Sequence, residues 1–225
     1  MSQIHRHRSS TSQYIDRVWA TQNISDGVYL ATPDGSWDII VLIQPDGSRS
    51  VMLTGQATES AEVPYKAGTS AVVVSFAAGA YLPAYPGKKM LNLVEMLPCP
   101  DNDHFTVAGH TFDIPDFESA DELAEAMAAT GVLRMDDVVA SVLTGNEKTL
   151  SDRAKQRHFL EVTGLTRKSL EQIHRAQEAV RQLQAGKKPV HVAADAGFTD
   201  QAHLAKSLKK IMHAKPSSVD GIHKI

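Results

Sequence analysis

Side chains that can bind the edges of nucleic-acid bases occur at helical spacing in two places near the carboxyl end. The first set is Arg153, Gln156 and Arg157, whose i, i+3, i+4 spacing puts all three on one surface of a helix. Arginine can donate two hydrogen bonds to guanine and glutamine can pair with adenine, so this set could read bases. Such side chains more often only solvate an exposed helix face, so the spacing alone leaves both interpretations open.

The second set follows Thr199 and Asp200, one of which should cap a helix. The Thr199 hydroxyl at that N-terminus could hold a phosphate group. Leu204 and Leu208 have the spacing of buried positions, which leaves a polar outer face. The predicted outer residues are Gln201, Ala202, His203 and Lys206. Lysines that could contact phosphates regardless of sequence are Lys168, Lys187, Lys188, Lys209, Lys210 and Lys215.

Other residue types with reactive chemistry are scattered along the chain. His104 and His110 lie on neighbouring predicted strands, but no cluster of His or Glu surrounds them, which favours hairpin histidines over metal ligands. No Ser, His and Asp arrangement has catalytic spacing, so we expect no enzyme activity, no metal and no cofactor. Six aromatic residues could line an effector pocket or pack in a core: Trp19, Trp37, Tyr65, Phe76, Tyr81 and Tyr85.

The charge divides the chain into two unlike parts. Residues 146–225 carry 15 Lys and Arg against 8 Asp and Glu, a net charge of +7, whereas residues 1–145 carry −10. An asymmetry of this size indicates two parts with different partners. The basic part could face a polyanion, while the acidic part would be repelled by one.

The composition is that of a globular protein. The chain has 225 residues, 42% hydrophobic and 22% charged, which is enough for one large domain or two small ones. No apolar run reaches the length of a membrane-spanning helix, and the first twelve residues lack the apolar segment of a secretory signal. The single Cys99 excludes an internal disulfide and is typical of a reducing cytoplasm.

Turn signals and β-branched runs predict short strands from Tyr14 to about Pro115. Pro33-Asp34-Gly35 and Pro45-Asp46-Gly47 have turn chemistry. Strands are predicted over Ser36–Gln44, Ser50–Thr54 and Thr69–Phe76, with a further hairpin over His104–Ile114. Several short strands with Gly and Pro between them favour a small barrel or sandwich. Residues 1–12 are predicted to be a flexible arm.

After Pro115 the pattern changes to helix. Ser119 and Glu122 have the spacing of a capping box. The later predicted helices start near Asp136, at Ser151, at Thr166, at Val190 and at Thr199 or Asp200, with Gly164, Gly186 and Gly197 as stop signals, and Pro216 suits the first turn of a last helix.

Two segments resemble the DNA-binding domain of AraC-type transcription regulators. The more specific match is Val192–Leu204, which contains an Ala-Gly-Phe turn and is followed by Pro216. This segment resembles the second helix-turn-helix of that family. Residues 151–166 resemble the first recognition helix, and Arg175 and Ala179 match the Arg-x-x-x-Ala of the linking helix. The resemblance covers roughly residues 119–220.

The resemblance implies an α+β fold: a small N-terminal β barrel or sandwich, then an all-α domain with two helix-turn-helix motifs joined by a long helix. The implied domains are a sensing or oligomerisation domain over 13–117 and a DNA-binding domain over 118–225. The implied function is sequence-specific transcription regulation, as activator or repressor, with recognition helices in two major-groove segments about 34 Å apart. The implied contacts are Arg153, Gln156, Arg157, Thr199, Gln201, Ala202, His203, Lys206, Lys209 and Lys210. The implied partners are double-stranded DNA, RNA polymerase, a small-molecule effector and a second copy of the chain, with no membrane.

Three residues and one loop depart from the family pattern. Lys155 stands where the family has an apolar residue, Lys206 where arginine is frequent, and His213 where a helix-ending glycine is usual. The loop Gly145–Leu150 is longer than a tight turn between two such helices. A function of another class stays open: a small ligand-binding β-domain protein, or an enzyme, with a helical protein-interaction module.

Overall fold

The computed structural model describes residues 3–143 and 150–219. Its strands are β1 (Gln3–Ser9), β2 (Ile15–Asn23), β3 (Gly27–Ala31), β4 (Asp38–Ile43), β5 (Arg49–Thr54), β6 (Ala61–Tyr65), β7 (Ser70–Phe76), β8 (Ala80–Tyr81), β9 (Val94–Leu97), β10 (His104–Val107), β11 (His110–Asp113) and β12 (Arg134–Met135). Its helices are α1 (Gly87–Met90), α2 (Ala120–Ala129), α3 (Asp137–Leu143), α4 (Asp152–Val162), α5 (Arg167–Gln184), α6 (Pro189–Asp195) and α7 (Gln201–Ile211). A sheet-rich part precedes a helical part, so the predicted α+β fold class is confirmed.

Six antiparallel strands form the main sheet, in the order β1-β2-β7-β4-β5-β9. The central strands β4 and β7 are rich in β-branched residues, and Ile39, Val41 and Val74 are almost fully buried. The predicted hairpin between β4 and β5 is confirmed, and the Gly47 N–H donates to the Gln44 carbonyl in its turn. Gly47 has a φ of +83°, a conformation that glycine adopts without strain.

The predicted flexible arm is wrong for residues 3–9, which form β1 and pair with β2 along their whole length. Arg8 donates to the Asp121 carboxylate at 2.6 Å, and the Arg6 guanidinium lies 4.3 Å from the centre of the Phe117 ring. Backbone pairing and these cation contacts order a segment with little apolar periodicity. Composition alone therefore could not predict the strand.

The capping box predicted at Ser119 and Glu122 is also wrong. The Ser119 hydroxyl makes no cap to α2 and instead donates to Asp116 at 2.9 Å. The Asp116 carboxylate also accepts from the Ser119 N–H, and an Asx turn therefore leads into the helix. Near the carboxyl end, residues 215–218 form a turn rather than the start of a helix at Pro216.

The chain forms two compact units, each of which combines segments that are far apart in the sequence. The first comprises the described residues within 1–27, 36–56 and 65–166, and the second those within 28–35, 57–64 and 167–225. The helices α3 and α4 therefore belong to the same unit as the main sheet, whereas α5, α6 and α7 share a unit with most of β3 and β6. Contacts between residues far apart in sequence cause this grouping, and local periodicity carries no signal for them. None of the described helices is long and apolar enough to cross a membrane.

Candidate nucleic-acid interface

The helices α3 and α4 form the first candidate helix-turn-helix. The Asp136 carboxylate caps α3, because one of its oxygens accepts from the Val138 and Val139 N–H groups at 2.9 and 3.0 Å. Ser151 caps α4 as predicted, accepting from the Ala154 N–H at 3.3 Å. The prediction of a long loop over 145–150 falls almost entirely on residues 144–149, which lie outside the described residues.

The helix α4 has one buried face and one exposed face. Phe159 is fully buried, as the spacing predicts, and Val162 is nearly so. The three candidate base-reading side chains, Arg153, Gln156 and Arg157, are all exposed. Lys155, where the family pattern has an apolar residue, is half-buried. The outer face of α4 therefore presents planar hydrogen-bonding groups to solvent.

A histidine–carboxylate pair connects α4 to α3. The Nδ1 atom of His158 lies 2.7 Å from the second oxygen of Asp136, and both side chains are largely shielded from solvent. One carboxylate thus caps α3 and orients α4. Sequence reasoning placed Asp136 at the start of a helix but missed this partner, because the two residues are 22 positions apart and no local pattern joins them.

The carboxyl end of α4 packs against α1. Gly164 ends the helix with a φ of +72°, as its predicted role as a stop signal requires. At Gly87 a Cβ atom would lie 2.5 Å from the Val162 carbonyl oxygen and the Gly164 nitrogen, so only glycine allows this approach. Two glycines therefore permit the backbones of α1 and α4 to touch.

The second candidate recognition helix is α7. Asp200, rather than Thr199, is its cap, and the Asp200 carboxylate accepts from the His203 N–H at 2.7 Å. The Thr199 hydroxyl lies 3.1 Å from Nδ1 of His203, and the Phe198 ring meets the histidine edge-on at 5.4 Å. These contacts orient the His203 ring at the start of the helix while both polar side chains stay exposed.

The faces of α7 divide as the spacing predicts. Leu204 and Leu208 are fully buried, and Ile211 nearly so. The outer side chains are all exposed: Gln201, Ala202, His203, Lys206, Lys209 and Lys210. The amino-terminal half of this surface carries the groups that could contact bases, and its carboxyl-terminal half carries charge for phosphates.

The long helix α5 supports α6 and α7. Its buried stripe includes the predicted Ile173, Ala176 and Val180. Arg175 donates to the carbonyl of Gly197 at 3.4 Å, and Ala179 is fully buried. Arg175 therefore connects α5 to the turn between α6 and α7, while Ala179 belongs to the buried face of α5. Of the other candidate phosphate-binding lysines, Lys187 forms an ion pair with Asp195, and the exposed ones are Lys168, Lys188 and Lys215.

The first unit contains a small, partly open cavity lined by Trp37, Tyr81 and Tyr85, three of the six aromatics that could line an effector pocket or pack in a core. The volume of this cavity is about 20 Å³, which leaves room for little more than one water molecule. Gln56 also lines the cavity and is 3% exposed, and neither of its side-chain polar atoms has a partner among the described residues. Burial, and then the Glu95 charge, raise the pKa of Tyr85.

The histidines considered as metal ligands lie on the β10–β11 hairpin, which the sequence predicted. His104 lies 2.8 Å from an oxygen of Asp101, and this contact raises the pKa of the imidazole above its ordinary value. His110 is exposed on the other strand. Within residues 3–143 and 150–219 there is no group of three or more His, Cys, Asp or Glu side chains placed to hold a metal ion.

A family model described as a helix-turn-helix domain matches residues 146–220. No curated protein is significantly similar to the chain. Solved structures of ToxT from Vibrio cholerae are distantly similar to this chain. For one crystal form the TM-score is 0.37 at 9% sequence identity, and the match covers 99% of this chain and 100% of the ToxT chain. ToxT from strain O395 gives 0.40 at 11% identity, covering 100% and 99%. ToxT from strain SCE256 with a bound unsaturated fatty acid gives 0.37 at 11% identity, covering 100% and 97%. Similarity of this degree establishes no shared ligand.

Proposed function

We propose that the chain is a DNA-binding transcription regulator of the AraC type, in which α4 and α7 each read bases in a separate major-groove segment. The match of residues 146–220 to a helix-turn-helix family model supports this proposal. In α4 the base-reading side chains are Arg153, Gln156 and Arg157. In α7 they are Gln201, Ala202, His203 and Lys206, with Thr199, Lys209 and Lys210 contacting phosphates.

The observation that carries the proposal is the division of α4 into two faces. Phe159 is completely buried, so the helix cannot rotate to hide Arg153 or Arg157 without exposing its core residue. Exposed arginines four positions apart on a held helix can both enter a groove. The net charge of +7 on residues 146–225 supports approach to a polyanion.

The test begins with selection of a binding site from random duplexes by the full chain, followed by footprinting. Arg157→Ala should weaken the selected site by about 1–3 kcal/mol and hardly change binding to random DNA. Arg157→Lys keeps the charge but cannot form the bidentate hydrogen bonds. It should therefore bind the selected site almost as weakly as Arg157→Ala does. Glu161→Ala, an exposed change on the same helix, is the matched control and should not weaken binding.

Lys209→Ala should behave differently, because a phosphate contact carries no sequence information. Binding to selected and random DNA should weaken alike. The number of counterions released on binding, which is read from the slope of log affinity against log salt concentration, should fall by about one. Equal losses on both DNAs for Arg157→Ala would contradict the base-reading role of α4.

The finer parts of the function are proposals of the same kind. The family resemblance suggests RNA polymerase and a second copy of the chain as partners. A cytoplasmic location is proposed because the single Cys99 is typical of a reducing compartment. We propose no catalytic role. An effector would enter at the cavity beside Gln56, whose unpaired amide can both donate and accept. Since that cavity is near the size of one water molecule, an effector would have to enlarge it.

The alternative function, a ligand-binding or enzymatic β domain with a helical interaction module, makes an opposite prediction. It requires no affinity for duplex DNA. A regulator with several lysine and arginine contacts must bind more weakly as salt rises, with a steep logarithmic slope. Gel shifts of the full chain across a range of salt concentrations separate the two.

A further inference from the structure

A segment far from the helix-turn-helix domain in sequence contacts the carboxyl end of α7. Ser60, which is 3% exposed, donates from its backbone N–H to the Ile211 carbonyl at 2.9 Å and from its hydroxyl to the same oxygen at 3.2 Å. Ile211 is the last residue of α7. The final carbonyls of a helix have no partner inside it, so these two bonds satisfy a group that would otherwise be unpaired.

The neighbouring residue makes a second contact just beyond the helix. The Glu59 carboxylate lies 3.2 Å from Nε2 of His213. His213 has a φ of +50°, the left-handed conformation that the family pattern predicts at this helix end. Glu59 and Ser60 together therefore hold both the last turn of α7 and the residue that terminates it.

These contacts belong to a wider attachment within the second unit. Residues 57–64 contain most of β6, which pairs with β3, and Gly35 follows β3. At Gly35, a Cβ atom would lie 2.3 Å from the Leu170 side chain of α5. Two segments from the sheet-rich half of the sequence thus pack closely on the linking helix α5 and on the carboxyl end of α7.

We propose that Glu59 and Ser60 are positioning residues for DNA recognition by α7. The inference rests on the proposed function of α7. A recognition site must be held to within about 0.5 Å by its supporting contacts, and the hydrogen bonds from Ser60 are such contacts. Base reading by the second helix-turn-helix then depends on residues outside the segment 146–220, contributed from between β5 and β7.

The experiment measures the two halves of the footprint separately. With the selected site, Arg157→Ala identifies the half read by α4, and Gln201→Ala identifies the half read by α7. The double variant Glu59→Ala with Ser60→Ala should weaken the α7 half by about three- to tenfold, the loss expected from one or two hydrogen bonds. The α4 half should change less than about twofold, since no contact to α4 is removed.

Glu62→Ala is the matched control, because it removes a carboxylate from an exposed position of β6. It should leave both halves unchanged. Glu59→Gln keeps an oxygen that can accept from His213, so it should retain most of the wild-type protection. If the double variant does not fold, Glu59→Ala alone is used, since this residue is exposed and its loss should still weaken only the α7 half.

Each result has one meaning. Selective loss in the α7 half supports the inference, whereas unchanged protection, or equal loss in both halves, overturns it. If the wild-type chain protects no duplex at all, the proposed function itself fails, which is a different outcome.

Discussion

Replacing Asp136 by alanine removes three hydrogen bonds from the first helix-turn-helix at once. Two of them come from the Val138 and Val139 N–H groups at the start of α3, and the third joins Asp136 to His158 of α4 at 2.7 Å. We expect this substitution to destabilise the first unit and to weaken DNA binding through α4.

The magnitude follows from two contributions. Loss of a helix cap costs about 0.5–2 kcal/mol in the free energy of unfolding. The contact with His158 adds about 0.5–1 kcal/mol to the free energy of unfolding, the upper part of the range measured for pairs on protein surfaces. The upper part applies because the Asp136 side chain is only 13% exposed and the His158 side chain 31%. The expected total is about 1–3 kcal/mol.

Urea unfolding of five proteins separates the contributions: the wild type, Asp136→Ala, Asp136→Asn, His158→Gln, and the double variant that combines Asp136→Asn with His158→Gln. Asparagine caps helices about as well as aspartate, so Asp136→Asn should keep the cap and lose mainly the contact between the carboxylate and His158. The double-variant cycle should give a coupling of about 0.5–1 kcal/mol. Asp136→Ala should be clearly less stable than Asp136→Asn.

The same proteins are then footprinted on the selected DNA site. Weakened protection in the half read by α4, with the other half retained, is the expected pattern for Asp136→Ala. A coupling energy near zero, together with wild-type stability for Asp136→Ala, would refute the reasoning that this carboxylate holds the two helices together.

Two further predictions concern other parts of the first unit. Gly87→Ala should lower the free energy of unfolding by about 1–3 kcal/mol, because its Cβ would collide with backbone atoms at the end of α4, whereas Lys88→Ala on the same short helix should be nearly neutral in urea unfolding. If Gly87→Ala unfolds at the wild-type urea concentration, the close approach of α1 to α4 is wrong. For His104, whose pKa is raised chiefly by the Asp101 hydrogen bond, the contribution to stability is complete below the ordinary value of 6.5 and is lost as the pH rises through the raised pKa. Nuclear magnetic resonance titration of the ring should show this raised pKa and its return toward 6.5 in Asp101→Asn, and an identical titration curve in both proteins would contradict the assignment.

The sequence predicted the buried and exposed faces of α4 and α7 well. Phe159 in α4 and Leu204 in α7 are buried at the positions that helical spacing indicates, and the hairpins at Gly47 and His104 also lie where turn chemistry placed them. These features depend on periodicity and turn preferences within a few residues. Whether the exposed side chains contact DNA stays a prediction.

Contacts between distant residues could not be predicted in the same way. The ordering of residues 3–9 depends on pairing with β2 and on Arg8 reaching Asp121, more than a hundred positions away. The pairing of His158 with Asp136 similarly has no local signature. A polar residue is compatible with many partners, and the sequence does not say which one the fold brings within hydrogen-bond distance.

The sequence by itself determined which side of each recognition helix is polar, because the chemistry of residues three and four apart is enough to divide a helix into faces. Only the tertiary structure decided what holds those helices: α4 shares a unit with the main sheet, and the end of α7 is bonded to Ser60. The physical reason is that helical faces arise from local geometry, whereas the choice of supporting partners depends on how the whole chain packs.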